Sequence, residues 1–481
     1  MLFIAFGGLM ASLAAGYGVL FTIVDDYRDE YGISETAIGV VIGVGFLAAF
    51  MSQVLIAPLA DRGHARKVVL FGVAINVVGL LLMGFSTTLT PILIGRFISS
   101  VGQQMLTVAV GWELYERTHS ALNLGLVGLT NMLPMFLFTL PAGHLADNLN
   151  RQRIIVSMTG VIALASAGLA LASALRAPTA WMYVCLFVVA TARTFMWPAS
   201  SAFLPQLVSR QLFPRAVTWA TGSFQLSSVA GPAAGGALIA ITGRAAPVYG
   251  LNALAAVTCL ILVGLVHYHR VGAPREPMTL ASLGMGFKFV FSTRIILGII
   301  TLDMFAVLLG GATTLLPVYA KDILHIGPHG LGWLQAALPV GSLVCALVLA
   351  HRSPMEKAGR ALLWSVVVFG LATIGFGLSR WFALSFVMLV ICGAADNVSV
   401  VIRHTIVQLL TPDDKRGRVS AVNSLFIGTS NELGGFESGV VAHWLGPVLA
   451  VVTGGAGTIL VVLAIAWLWP EIRRHGKLIA D

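Results

Sequence analysis

Leu59-Ala60-Asp61-Arg62-Gly63-His64-Ala65-Arg66-Lys67 and Leu145-Ala146-Asp147-Asn148-Leu149-Asn150-Arg151-Gln152-Arg153 are two versions of one loop. Each closes a long apolar run, turns at Leu-Ala-Asp, becomes basic, and yields to another apolar run. A short basic connection between two segments that avoid water belongs at a membrane surface, between one crossing and the next. The two aspartates are 147 − 61 = 86 residues apart.

The chain around these loops suits lipid. Of its 481 residues, 57% are apolar and 10% charged, where a soluble domain carries about 25% charged residues. Apolar stretches of about 20 residues, the length of helix that crosses roughly 30 Å of hydrocarbon, recur throughout. Inside lipid every backbone N–H and C=O must be paired, which leaves helices or a closed barrel. The runs are too long and continuous for barrel strands. The expected fold class is an all-α polytopic membrane protein, with the lipid bilayer as a partner. The stretch 1–20 lacks a basic leader and a clear cleavage site, so it reads as a span and not a signal peptide. The net charge of +9 is scattered over short loops instead of being gathered on one face. That pattern orients a membrane protein and argues against nucleic-acid binding. Cys185, Cys259, Cys345 and Cys392 lie inside apolar runs without a CxxC pair, and read as free thiols.

Fifteen candidate spans emerge. Three lead, at 1–24, 37–60 and 68–86. Twelve follow, at 91–115, 121–144, 154–175, 180–203, 216–242, 247–268, 294–320, 331–350, 361–378, 382–402, 419–444 and 449–469. The twelve contain a repeat. The polar, basic loop ending at Arg215 resembles the one ending at Arg418, and the offset is 418 − 215 = 203. Parallel halves of six spans account for that spacing. The expected organisation is a partial segment over 1–90, a six-helix half over 91–268, a cytoplasmic linker over 269–293 and a second half over 294–481.

Loop charge orients the twelve. Alternate loops hold 18 basic residues on the side assigned to the cytoplasm, Arg403 among them, and five on the other: Arg117, Arg176, Arg244, Lys321 and Arg380. The three leading spans break this alternation. Their basic loop at Arg62, Arg66 and Lys67 belongs inside, so the third span would deliver the chain outside, where the twelve must not begin. A fusion resolves the conflict: a fragment of one membrane protein joined to a whole second one near Ile94-Gly95-Arg96-Phe97-Ile98-Ser99-Ser100-Val101-Gly102. The alternative is an ordinary twelve-span protein with three misassigned segments.

Both Leu-Ala-Asp loops resemble the signature loop after the second helix of major facilitator superfamily transporters. Gly111-Trp112-Glu113-Leu114-Tyr115-Glu116-Arg117-Thr118, Ala192-Arg193-Thr194-Phe195, Leu302 to Gly311 and Thr429-Ser430-Asn431-Glu432-Leu433-Gly434 resemble the enterobactin-exporter-like branch of that superfamily. This branch belongs to the drug:proton antiporter group 3 set, and the resemblance covers residues 91 to 470. Residues 1–90 resemble the first three helices of another branch, departing from the pattern at Ala57, His64 and Ala65. The resemblance implies two six-helix halves, preceded here by about three extra helices. It implies a gating role for Gly143, Asp147, Arg151 and Arg153, and for Asp61, Arg62 and Arg66 in the first copy. A carboxylate at a helix start, accepting backbone N–H groups and pairing with arginine, would hold two helices together. Gly231-Pro232-Ala233-Ala234-Gly235-Gly236 resembles the antiporter motif of exporters, with Ser227 in place of its leading glycine. Small residues permit close helix approach and proline bends the axis.

Ionisable groups inside spans are expensive in lipid and so mark candidate sites. Arg193, Asp303, Asp396, Glu432 and Glu437 are the candidates for a substrate and proton pathway. A desolvated carboxyl there can bind and release a proton, or can form a static ion pair. No GxxxxGK[ST] motif, catalytic triad or metal cluster is visible in the sequence. The expectation is therefore not an enzyme, and no cofactor. It is a monomeric, proton-coupled exporter of a siderophore, drug or lipophilic metabolite in a bacterial cytoplasmic membrane. A facilitator or importer and a non-transporting fusion product are the alternatives.

Overall fold

The computed structural model describes residues 89–208, 213–266, 287–351, 357–412, 416–474 and 476. The chain divides between Ser86 and Thr87. The three leading spans, with Asp61, Arg62 and Arg66, lie outside the described residues. So does most of the expected linker, which is helical over 287–292 and extended at Thr293.

Twelve long helices follow one another among the described residues: α1 Leu89–Thr118, α2 Ala121–Asn148, α3 Arg151–Ala174, α4 Thr179–Leu207, α5 Phe213–Thr242, α6 Ala246–Gly264, α7 Arg294–Leu309, α8 Gly327–Ala350, α9 Ala358–Leu378, α10 Phe382–Leu410, α11 Arg416–Leu445 and α12 Pro447–Leu468. A short helix, α13, spans Pro470–Arg474. Local chemistry sets the ends. Asn150 caps α3, its side chain accepting the Arg153 N–H at 3.3 Å. Gly446, at φ 85°, alone turns α11 into α12, in a conformation that costs glycine little. Ten of the spans are long and apolar enough to cross a membrane. The other two, α1 and α11, are 30 residues each and more polar, carrying Arg96, Glu113, Glu116 and Arg117, and Arg416, Arg418, Glu432 and Glu437. The seventh span was expected to run unbroken over 294–320. It breaks at Gly310-Gly311 and continues as a 3-10 turn Ala312–Leu315, one α turn Leu316–Val318 and a π turn Tyr319–Ile323.

The helices pair in two equivalent sets. In the first, α1 packs on α5 and α6, α2 on α4, and α3 on α4 and α6. Adding six to each label gives the second: α7 on α11 and α12, α8 on α10, and α9 on α10 and α12. Between the sets α2 packs on α11 and α5 on α8. Both seams are lined by facing glycines. A methyl group on Gly125 would lie 3.0 Å from Gly439 Cα, and one on Gly236 would lie 2.9 Å from Gly332 Cα. In a bilayer, where burying apolar surface drives no association between helices, this close approach supplies the attraction. The repeat shows in the same residues: Gly231 meets α1 at Gln104 as Gly434 meets α7 at Leu308, and 434 − 231 and 439 − 236 both equal 203.

The apolar cores tell where the halves join. One cluster draws on both sets, with Leu114, Tyr115, Leu124 and Tyr249 packed among Leu315, Leu316, Tyr319, Leu331 and Phe376. These residues gather at the end where α1 and α7 finish, the outer end by loop charge. At the opposite end each half keeps a core of its own. Ile92, Ile154, Phe203 and Val263 form one; Ile299, Leu302, Leu362, Ile406 and Val462 form another. Among the described residues the halves thus share a core at one end only.

Candidate functional site

The closed end is held by polar contacts that α1 and the broken seventh span make with each other. Tyr319 packs on Phe376 with ring centroids 4.5 Å apart and donates from Oη to the Gly377 carbonyl at 3.0 Å. That anchors the π turn, whose Lys321 and Asp322 reach across. Lys321 Nζ meets Glu116 Oε2 at 2.6 Å, and Tyr115 Oη donates to Asp322 Oδ2. Arg117 fixes the end of α1 from behind, pairing with Glu113 and donating to the carbonyls of Ala177 at 2.9 Å and Ser173 at 3.2 Å. None of these contacts is legible in the sequence. Glu116 and Lys321 are 205 residues apart, and no local pattern relates them.

These contacts imply a measurable bias. A hydrogen bond to a charged group contributes about 1.5–3 kcal/mol, and about 1.4 kcal/mol is a tenfold shift between two states. Tyr115→Phe combined with Lys321→Ala should open the outer end at least about tenfold more often. The check is a cysteine at Phe305, a side chain exposed on α7, in a background free of the four native thiols. Labelling by an impermeant maleimide from the outer side should rise accordingly. Unchanged labelling would show that the latch carries no weight.

Inside the bundle the candidate residues fall into two groups. Asp303 and Arg403, 6% and 4% exposed, form an ion pair between α7 and α10. Arg403 Nη1 also reaches Ser399 Oγ at 3.4 Å, and Asp396 lies within electrostatic reach of both charges. Asp396, Ser399 and Arg403 stand at i, i+3 and i+7, hence on one face of α10. Counting Arg403 among the cytoplasmic loop charges was wrong. It is a buried residue of α10, which leaves 18 − 1 = 17 basic residues on that side against five. The periodicity with Asp396 could have revealed it.

The second group joins the halves at mid-helix. Glu432 of α11 accepts from Asn131 Nδ2 of α2 at 3.4 Å, and Gly128 lets the α11 backbone approach at the same level. Arg193 of α4 lies within electrostatic reach of Glu432, beyond ion-pair distance. Glu437, half-buried, accepts from Ser438 Oγ at 3.5 Å.

The loop expected to gate has a different local geometry from the one anticipated. Asp147 belongs to the last turn of α2, not to a helix start, and Asn150 takes the capping role at α3. The Asp147 side chain lies outside the described residues. Arg151 donates to the carbonyls of Ala146 at 3.3 Å and Ala202 at 3.1 Å, both in its own half. Arg153 is exposed, and Gly143 has open space where a side chain would stand. In α5, Gly231 and Gly235 pack on α1 while Gly236 packs on α8, and Pro232 sits between them within the helix.

The sequence profile of the transmembrane secretion effector family matches residues 84–474. The chain belongs to this family, within the major facilitator superfamily. It is a multi-pass membrane transporter and not an enzyme. A general major facilitator superfamily profile matches residues 4–111. The two matches overlap over 84–111, the stretch that contains Ile94 to Gly102. Among individual relatives, the transporter is 29% identical to the enterobactin exporter EntS of Citrobacter koseri over 393 residues, 80% of this chain and 92% of that one. It is 28% identical to EntS of Escherichia coli over the same length and shares. Two solved structures share its fold. A POT family transporter in complex with 5-aminolevulinic acid has a TM-score of 0.65 at 14% identity, over 80% of this chain and 96% of that one. The nucleoside transporter NupG has a TM-score of 0.65 at 13% identity, over 79% and 99%.

Proposed function

We propose that the chain is a proton-coupled exporter that works by alternating access in a bacterial cytoplasmic membrane, as a monomer. The observation that carries this is the single closed end. The halves share one core and one set of polar contacts at the outer end, while each keeps a separate core at the inner end. A bundle joined this way opens a cavity to the cytoplasm, where an exporter collects its cargo. The opposite state would break the latch and close the inner end, with the Asp147–Arg151 loop as the lock. Export of a siderophore, drug or lipophilic metabolite is supported by the relatives named as enterobactin exporters. Glu432 is the first choice of proton carrier, since it alone of the candidate carboxylates bridges the halves by a hydrogen bond.

The leading segment is a remnant that the transporter does not need, a reading supported by the overlap of the two family matches across 84–111. The experiment compares cells expressing the full chain with cells expressing a chain that lacks residues 2–88. Both should lower accumulation of exported compounds to the same extent, and an uncoupler should abolish the difference from empty cells. If the shortened chain inserts but does not export, the leading spans are part of the machine. A non-transporting product would leave accumulation unchanged in both.

A further inference from the structure

Arg193 is a guanidinium at the fifteenth position of the 29-residue α4, mid-membrane, and among the described residues it makes no hydrogen bond or ion pair. Glu432 is in electrostatic reach but too distant to pair. The side chain is exposed to solvent even though protein surrounds it, so it faces water inside the bundle. The pattern along α4 says the same. The first half of the helix exposes Trp181 and Val184, side chains that suit lipid. From the middle onward it exposes Arg193, Trp197, Ser201 and Pro205, spaced by four. Nine residues separate Val184 from Arg193, which is 2.5 turns and therefore the opposite face. A cation cannot face hydrocarbon cheaply, and the stripe runs toward the recess of about 290 Å³ that Arg151, Ser201 and Pro205 line near the inner end. Trp197, one turn below Arg193, is 75% exposed and offers an aromatic surface on the same wall.

We propose that Arg193 is the receptor for the acidic group of the transported molecule, an organic anion whose ring or apolar body rests on Trp197. The proposal rests on the transport reading and adds the charge class of the cargo. An unpaired guanidinium inside a membrane needs an anion, and an ionised carboxylate arriving from the cytoplasm supplies one directly.

The probe pair is radiolabelled 1-naphthoate and 1-naphthylmethylammonium, which share a ring and differ in charge, measured by equilibrium dialysis on the purified full chain. Naphthoate should bind, and Arg193→Gln should weaken it about tenfold or more, the loss of a charge-assisted contact. Arg193→Lys should retain most of the affinity, which separates charge from fold. Trp197→Ala should weaken both probes. The ammonium probe should bind no more weakly to Arg193→Gln than to the parent. Absence of naphthoate binding to the parent, or equal binding to the parent and Arg193→Gln, overturns the proposal. Naphthoate binding through Arg193 without export from proteoliposomes would instead sink the exporter reading and leave the anion site standing. Export with binding blind to charge would do the reverse.

Discussion

Glu432→Gln should abolish export driven by a pH gradient, while the protein inserts and closes its outer end as before. Glu432 stands where α2 and α11 cross between the halves, accepting from Asn131 at 3.4 Å, with the Arg193 charge in reach. Glutamine keeps the length, the shape and an oxygen for Asn131. It removes the one property that couples the site to a gradient, the ability to exchange a proton. The measurement is flux in proteoliposomes under an imposed pH gradient, with binding checked separately. Asp303→Asn is the parallel variant, because Asp303 is another buried candidate carboxylate with a cationic neighbour. If both variants pump at the parent rate, or if collapsing the gradient leaves parent export untouched, antiport fails. The chain would then be a facilitator.

Arg403→Leu should destabilise the second half by about 3–5 kcal/mol, the cost of leaving a buried charge without its partner. Asp303 is 6% exposed and Arg403 4%, so no water reaches in to replace the lost guanidinium. Asp396, on the same face of α10, would lose its nearby cation as well. The double variant Asp303→Leu/Arg403→Leu removes both charges, and should recover most of the loss, since a buried ion pair holds a fold little better than apolar residues of similar volume. Thermal unfolding in detergent is the readout. A single variant as stable as the parent would mean that the pair is not buried in the working protein. A double variant as unstable as the single one would place the cause in packing instead of charge.

Much of this architecture is legible in the chain because lipid constrains backbone more strictly than water does. With every N–H and C=O obliged to pair locally, long apolar runs have to be helices, and short basic loops have to sit at the surface. The run of twelve helices follows from that constraint, and the 203-residue offset from the similar basic loops ending at Arg215 and Arg418. The candidate residues Arg193, Asp303, Asp396 and Glu432 stood out for the same reason, being charges where charge is costly.

The partnerships were not legible. Arg403 resembled a loop cation because it lies near the end of an apolar run, and only its packing beside Asp303 makes it a buried counter-ion. The break at Gly310-Gly311 could pass for flexible membrane packing until Phe369 and Gly434 are seen to fill the space a side chain would need. The latch between Tyr115, Glu116, Lys321 and Asp322 joins residues about 200 positions apart. Hydropathy and spacing report what each segment must avoid, which is enough for the helices and their order. Which helix faces meet, and at which end the halves close, depends on side chains distant in sequence finding one another, and the tertiary structure alone decides it.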